Sequence, residues 1–272
     1  MPENENNRIL CIAAHPDDLD FGAAGTVAKW VKEGYDVSYL IATKGDAGGS
    51  DRSVLRDEMA TIRVREQTAA AATVGVNNIS FLDFKDGNVV AGQDLRFQIS
   101  KVIREIRPFR VLGPSPEISW MRIAASHPDH LAVGQATLFS VYPDSRNPFA
   151  FPSLLEDGLE PHIVSELWLM ASPHAFLGPI SNNGVPDSEI NASMSNGIYP
   201  NVAKGNNGTK VTSVDITDTF DLKIKALSKH VSQLSDIEIV REFIKEFLSH
   251  NAKLYGAPEG TLAEAFQVVT EL

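Results

Sequence analysis

Apolar residues in the first half of the chain fall into short blocks whose period alternates between strand and helix. Arg8 to Ala14 is a nearly unbroken apolar run closed by a proline turn, which predicts a strand buried on both faces. Phe21 to Lys32 carries apolar residues at helical spacing, and Gly34 supplies a stop. Val37 to Thr43 predicts a second strand, followed by the loop Lys44-Gly45-Asp46-Ala47-Gly48-Gly49. An alanine-rich helix is predicted from Asp57 to Val74, then a short strand over Ile79 to Leu82. Gln93 to Ile106 predicts a helix ended by Pro108, and Val111 to Gly113 a fourth strand.

Strand and helix alternating over short connections predict an α/β fold: a Rossmann-like, doubly wound, mostly parallel sheet with helices on both faces. After about Tyr142 the pattern loosens. Residues 143–162 and 172–212 are rich in Pro, Asn, Gly and Ser. Ile163 to Ala171 and Val211 to Ile216 predict strands, and Phe220 to Leu234 and Ile237 to Leu254 predict helices. The expectation is one domain over 1–272. Residues 1–142 form its core, and 143–272 form a C-terminal extension that walls one side of the site.

Composition narrows the function. The 272 residues are 43% hydrophobic, enough for one sizeable core. Lys and Arg number 24 against 35 Asp and Glu, for a formal charge of -11. With no basic run, this argues against nucleic-acid partners and reads as solubility. The one cysteine, Cys11, lies inside the first apolar run, so no intrachain disulfide forms and the thiol reads as core filling. The first eight residues are polar, and no stretch approaches a membrane span. These features predict a soluble cytoplasmic protein.

Two short strings carry the chemistry. Ala14-His15-Pro16-Asp17-Asp18 follows the first strand, and His127-Pro128-Asp129-His130 lies between the fourth strand and a helix beginning near Asp129. Ligands of a doubly wound sheet bind outside the C-terminal strand edges, so both strings are expected at one edge. His15 and Asp18, three apart in a turn, offer nitrogen and oxygen donors, and a second histidine completes a two-His, one-carboxylate set. The remaining His and Asp of the second string would orient or protonate. Asp17 is left to take a proton from water activated by the metal. The plainer alternatives are helix capping by Asp17 or Asp18 and a surface loop with two ordinary histidines.

These strings resemble those of the PIG-L/LmbE-like family of zinc-dependent N-acetylglucosaminyl deacetylases. Further segments match: Ala42 to Gly48, Arg63-Val64-Arg65-Glu66, Phe81-Leu82-Asp83 leading to Asp86-Gly87, and Lys225-Ala226-Leu227 before His230-Val231-Ser232-Gln233. The resemblance implies His15, Asp18 and His130 as ligands of zinc, with iron(II) also able to occupy such a set. It implies Asp17 as general base, His127 as the group that stabilises or protonates the tetrahedral intermediate, and Asp129 as the group orienting its neighbouring imidazole. Arg63 and Asp86 match substrate-contacting positions. The implied partner is a small N-acetylated sugar conjugate, and relatives are often homo-oligomers. One departure stands out: many members carry Glu after AHPDD, where this chain has Leu19.

The competing readings are an amidase of the same family acting on a larger thiol-sugar or antibiotic-like conjugate, and a non-catalytic Rossmann-like module for sugar or nucleotide. The metallo-β-lactamase type also carries H-x-D-H but requires another histidine where this chain has Ala125. The loop Gly45 to Gly49 lacks the spacing of a phosphate cradle. His162, His174 and His250 have no metal-spaced partner and read as structural or solvated, and packing is the expectation for His230. Trp120-Met121 precedes the second string closely enough to wall the pocket.

Overall fold

The computed structural model describes residues 7–118, 120, 123, 126–170, 210–254 and 256–272. Among these residues seven strands form one mixed sheet: β1 (Arg8–Ala13), β2 (Asp36–Thr43), β3 (Asn78–Phe84), β4 (Arg110–Pro114), β5 (Glu166–Met170), β6 (Lys210–Asp215) and β7 (Ala263–Val269). Their order is β3-β2-β1-β4-β5-β7-β6. The first five are mutually parallel, and β7 runs antiparallel to both β5 and β6. The expected Rossmann-like α/β architecture is therefore present, with an antiparallel margin added by the C-terminal half.

Strand β1 shows why an unbroken apolar run forms the centre. Ile9, Cys11 and Ala13 enter the core on one face of the sheet, and Leu10, Ile12 and Ala14 enter the core on the other. The chain leaves β1 towards β2 and β3 on one side, then returns to place β4 on the opposite side. The crevice between β1 and β4 is thus the topological switch point, where such sheets bind ligands.

The helices are α1 (Asp18–Gly22), α2 (Ala24–Lys32), α3 (Arg56–Thr73), α4 (Gln93–Ile106), α5 (Pro128–Phe139), α6 (Pro152–Glu156), α7 (Phe220–Leu227) and α8 (Ile237–Leu254). The helix expected from Phe21 to Lys32 is really two, broken at Ala23. Lys223 Nζ donates to the Asp20 and Phe21 carbonyls at the end of α1. Glu264 accepts from the Gly25 and Thr26 amides at the start of α2. Lys223 and Glu264 themselves pair at 2.8 Å, fully buried. One ion pair therefore satisfies the loose backbone groups on both sides of the break.

Helix α7 stops at Leu227 rather than Leu234, and the turns that follow bend His230, Ser232 and Gln233 towards the site. Most of the expected loop 172–212 lies outside the described residues, as do Ala125, Met121 and His174. Trp120 is described and is strongly exposed. No helix among the described residues is long and apolar enough to cross a membrane.

Candidate active site

The end of β1 delivers His15 and Asp18, and the first turn of α5 delivers His127 and His130. His15 Nδ1 and His130 Nε2 are 3.2 Å apart. Asp18 reaches His130 with Oδ1 at 3.1 Å and His15 with Oδ2 at 3.7 Å. Four ligands at about 2.0–2.1 Å around a tetrahedral ion sit about 3.3–3.4 Å apart, so the His15–His130 and Asp18–His130 separations are close to those a small divalent cation requires. Asp18 is also anchored: its Oδ2 accepts from the Ala14 and His15 amides at 3.1 and 2.8 Å.

A second grouping places His15 Nε2 against two carboxylates, 3.0 Å from Asp129 Oδ2 and 3.2 Å from Asp86 Oδ1. An imidazole that gives one nitrogen to a metal commonly donates the other N–H to a carboxylate, which fixes its tautomer. His15 therefore faces the ligand cluster with Nδ1 and donates with Nε2. Asp129 is itself held by the Gly87 and Val89 amides at 2.7 and 3.1 Å. Asp86 Oδ2 accepts from the Ala47 amide at 3.2 Å. His15, His127 and His130 also bring ring nitrogens within 4.8 Å of one another. His127 caps α5, its Nδ1 accepting the Asp129 amide at 3.2 Å, and its ring meets His15 edge-on.

Asp17 stands beside the cluster in the left-handed region, at φ 88°. That conformation costs about 1–2 kcal/mol for a residue with a Cβ, and Asp is among the few that accept it. Arg63 grips the turn: Nη2 donates to Asp17 Oδ2 at 3.0 Å and to the Pro16 carbonyl at 2.6 Å, and Nη1 donates to the Gly45 carbonyl at 3.2 Å. The glycines of the Gly45 loop make room for it. A Cβ at Gly45 or Gly48 would fall on the guanidinium. Those glycines serve the arginine rather than a phosphate.

The charges follow from this packing. Burial raises the Asp17 carboxyl, Arg63 opposes it and Asp18 adds to the rise, with a net value of about 6. Burial would also raise Asp18, but His130 and His15 hold it well below the carboxylate range. Burial pulls His15 down, yet its bond to Asp86 and the charges of Asp18 and Asp86 carry it up to about 9. His130 is raised by Asp18 against the pull of burial. His127 is lowered by burial and by His15 and His130. The field of clustered carboxylates that keeps two imidazoles protonated also favours a divalent cation in place of those protons.

All eight expected site residues lie in this one region. Asp129 orients His15, from the other string, rather than an immediate neighbour. Asp86 sits behind His15, and Arg63 behind Asp17, each buried. Three residues were not singled out from the sequence as part of the site: Asp20, Gln67 and Glu66. The signal was present on α3, where the buried stripe Met59, Arg63, Glu66, Gln67, Ala70, Ala71 keeps helical spacing while carrying three polar side chains. Glu66 accepts from the amide and hydroxyl of Ser232 at 2.8 and 2.7 Å. His230 also comes to this region, fully buried against Asp20.

Comparison with known proteins identifies a family. The family model described as PIG-L, GlcNAc-PI de-N-acetylase, matches residues 10–140 and takes in both strings. The chain is 30% identical to diacetylchitobiose deacetylase of Thermococcus kodakarensis, across 95% of this chain and 81% of that protein. It is 27% identical to 1D-myo-inositol 2-acetamido-2-deoxy-alpha-D-glucopyranoside deacetylase of Rhodococcus jostii, across 84% and 82% of the two chains. Among solved structures, N,N'-diacetylchitobiose deacetylase from Pyrococcus horikoshii, in complex with its inhibitor MPG, superposes with a TM-score of 0.75 at 29% identity. The superposition covers 97% of this chain and 84% of that one. Sequence match, shared fold and both histidine strings lead to one conclusion: the chain belongs to the PIG-L family of de-N-acetylases.

Proposed function

We propose that the protein hydrolyses the N-acetyl amide of an N-acetylglucosamine-type conjugate, using a divalent metal, zinc before iron(II), held by His15 Nδ1, His130 Nε2 and the Asp18 carboxylate. The observation that carries this reading is the convergence of those three donors at 3.1–3.7 Å beside a fourth carboxylate, Asp17, that is anchored separately. A divalent ion bound there supplies a Lewis acid that polarises an amide carbonyl and brings the pKa of water down to about 7.

The chain's own residues do the rest. Arg63 engages Oδ2 of Asp17 and leaves Oδ1 for the attacking water, whose proton Asp17 accepts. Because His127 Nδ1 accepts the Asp129 amide, the neutral ring carries its proton on Nε2. That N–H is a donor for the oxyanion at the former carbonyl, a role worth about 3 kcal/mol elsewhere. The leaving amine takes its proton from Asp17, which received it from the attacking water. Asp129 keeps His15 in the tautomer that presents Nδ1. Arg63 and Asp86 act through the groups they hold, Asp17 and His15.

The relatives' names support a sugar amide as substrate, since they are deacetylases of diacetylchitobiose and of an acetamidoglucosyl inositol. The single-domain reading is supported by Ser232 and Gln233, which reach from the C-terminal half to Glu66 and the Gly49 amide. The test is acetate release from a panel of N-acetylglucosamine conjugates by the zinc-loaded protein, with Asp17→Asn beside it. Release that disappears in the variant supports the reading. Release at the wild-type rate from Asp17→Asn contradicts the assigned base.

A further inference from the structure

Arg63 holds the Asp17 carboxylate, but a separate set of residues holds the Asp17 peptide. The Asp17 amide donates to Gln67 Oε1. Gln67 Nε2 donates to Asp20 Oδ2 at 2.8 Å, and His230 Nε2 lies 2.9 Å from the same oxygen. Gln67, Asp20 and His230 are all fully buried.

The direction of these bonds is fixed. The Asp17 backbone N–H only donates, so Gln67 receives it on Oε1 and donates from Nε2 to Asp20, whose same oxygen faces His230 Nε2. With its Nε2 turned to Asp20, Gln67 has its Oε1 turned to the Asp17 amide. A fully buried carboxylate needs such donors, and His230 supplies the second of them from the C-terminal half of the chain. The neighbouring Asp18 is supported elsewhere, by the Ala14 and His15 amides. Two adjacent aspartates thus have independent supports, one for the ligand and one for the proposed base.

We infer that His230, Asp20 and Gln67 form a positioning relay that holds the Asp17 peptide in its left-handed conformation, so that the C-terminal segment sets the reach of the Asp17 carboxylate. Among the described residues, none of the three hydrogen-bonds to His15, Asp18 or His130. The kinetic consequence rests on Asp17 acting as the base; the structural consequence does not. Without Gln67 the Asp17 amide loses its acceptor, and the peptide is free to turn.

The experiment uses the full-length, zinc-loaded protein and two readouts: amide hydrogen exchange resolved at Asp17, Ala14 and His15, and acetate release from N,N′-diacetylchitobiose. Gln67→Met keeps the volume and removes the amide. It is expected to speed exchange at Asp17 by about 10-fold or more while Ala14 and His15 stay protected and one zinc stays bound. The turnover number kcat should fall about 10- to 100-fold with KM within about 2-fold, and the same substitution should add no further loss in Asp17→Asn. His230→Leu reads the relay from its other end, and covers the case in which Gln67→Met yields no folded protein. It should match Gln67→Met, whereas His230→Gln, which keeps a donor, should stay within about 3-fold of wild type. Unchanged exchange at Asp17 overturns the relay. So does exchange that rises equally at Ala14 and His15 with loss of zinc. Undiminished kcat in Asp17→Asn would instead overturn the base assignment, leaving the exchange result to decide the relay.

Discussion

Asp129 Oδ2 and His15 Nε2 stand 3.0 Å apart although 114 residues separate them in sequence. That contact ties the two histidine strings into one site. It also decides which nitrogen of His15 faces the ligand cluster. Asp129→Asn places an amide where one carboxylate oxygen now accepts from Val89 and the other from Gly87 and His15. Whichever way the amide turns, at least one of these donors loses its acceptor. Zinc affinity should fall about 10- to 100-fold, as for other partners of metal-binding histidines. Competition against a chelator of known affinity measures it, and an unchanged affinity would remove Asp129 from this role.

Gly134, one turn along α5 from His130, is a steric hinge for the site. A Cβ there would lie 2.6 Å from the Pro114 carbonyl oxygen and 2.8 Å from the Pro116 nitrogen. Backbone cannot yield as a side-chain tip does, so Gly134→Ala must lift α5 off the end of β4. The expected loss of stability is about 1–3 kcal/mol, with weaker zinc binding because His127 and His130 ride on that helix. Thermal melting and zinc titration read both effects, and a wild-type melting temperature would refute the close approach.

Lys223→Met strips the cation from the buried pair at the α1–α2 break and leaves Glu264 charged and enclosed. Breaking such a pair from one side costs about 3–5 kcal/mol. Adding Glu264→Gln removes the stranded charge, so the double variant should recover part of the loss in urea unfolding. A double variant less stable than Lys223→Met alone would contradict this.

The His230–Asp20 pair gives stability a sign against pH. Burial lowers the His230 imidazolium, but the bond to Asp20 and the charges of Asp20, Asp17 and Glu66 raise it above the ordinary value of about 6.5. A histidine raised in the folded state contributes stability that is fully present below its unfolded pKa and is lost as pH climbs through the folded one. The unfolding free energy of wild type should therefore exceed that of His230→Gln most near about pH 6 and by less near about pH 9. A gap that widens towards alkaline pH would reverse the assignment of charge.

The first half of the fold was legible because β1, β2 and β4 are buried almost throughout and its helices end at Gly or Pro. Helix α4, expected over Gln93 to Ile106, has those bounds. Strand β7 was missed because Glu264 interrupts its apolar pattern. That carboxylate is tolerated inside the sheet through Lys223, 41 residues away in sequence, and the Gly25 and Thr26 amides. The two strings were legible because ligand types crowd into four or five residues. What surrounds them was not, since Asp20, Gln67 and His230 meet only after three segments fold together, and no local period marks that encounter. On α3 the polar residues on the buried stripe were the available sign.

The central claim is that His15, Asp18 and His130 hold a metal on which acetate release depends. Metal analysis of the purified protein, followed by acetate assays on N-acetylglucosamine conjugates before and after chelation, tests it most directly. The account predicts about one zinc per chain, activity lost on chelation and restored by zinc, and both binding and activity lost in Asp18→Ala. Acetate release that survives complete chelation, or zinc bound with unchanged affinity by Asp18→Ala, would contradict it.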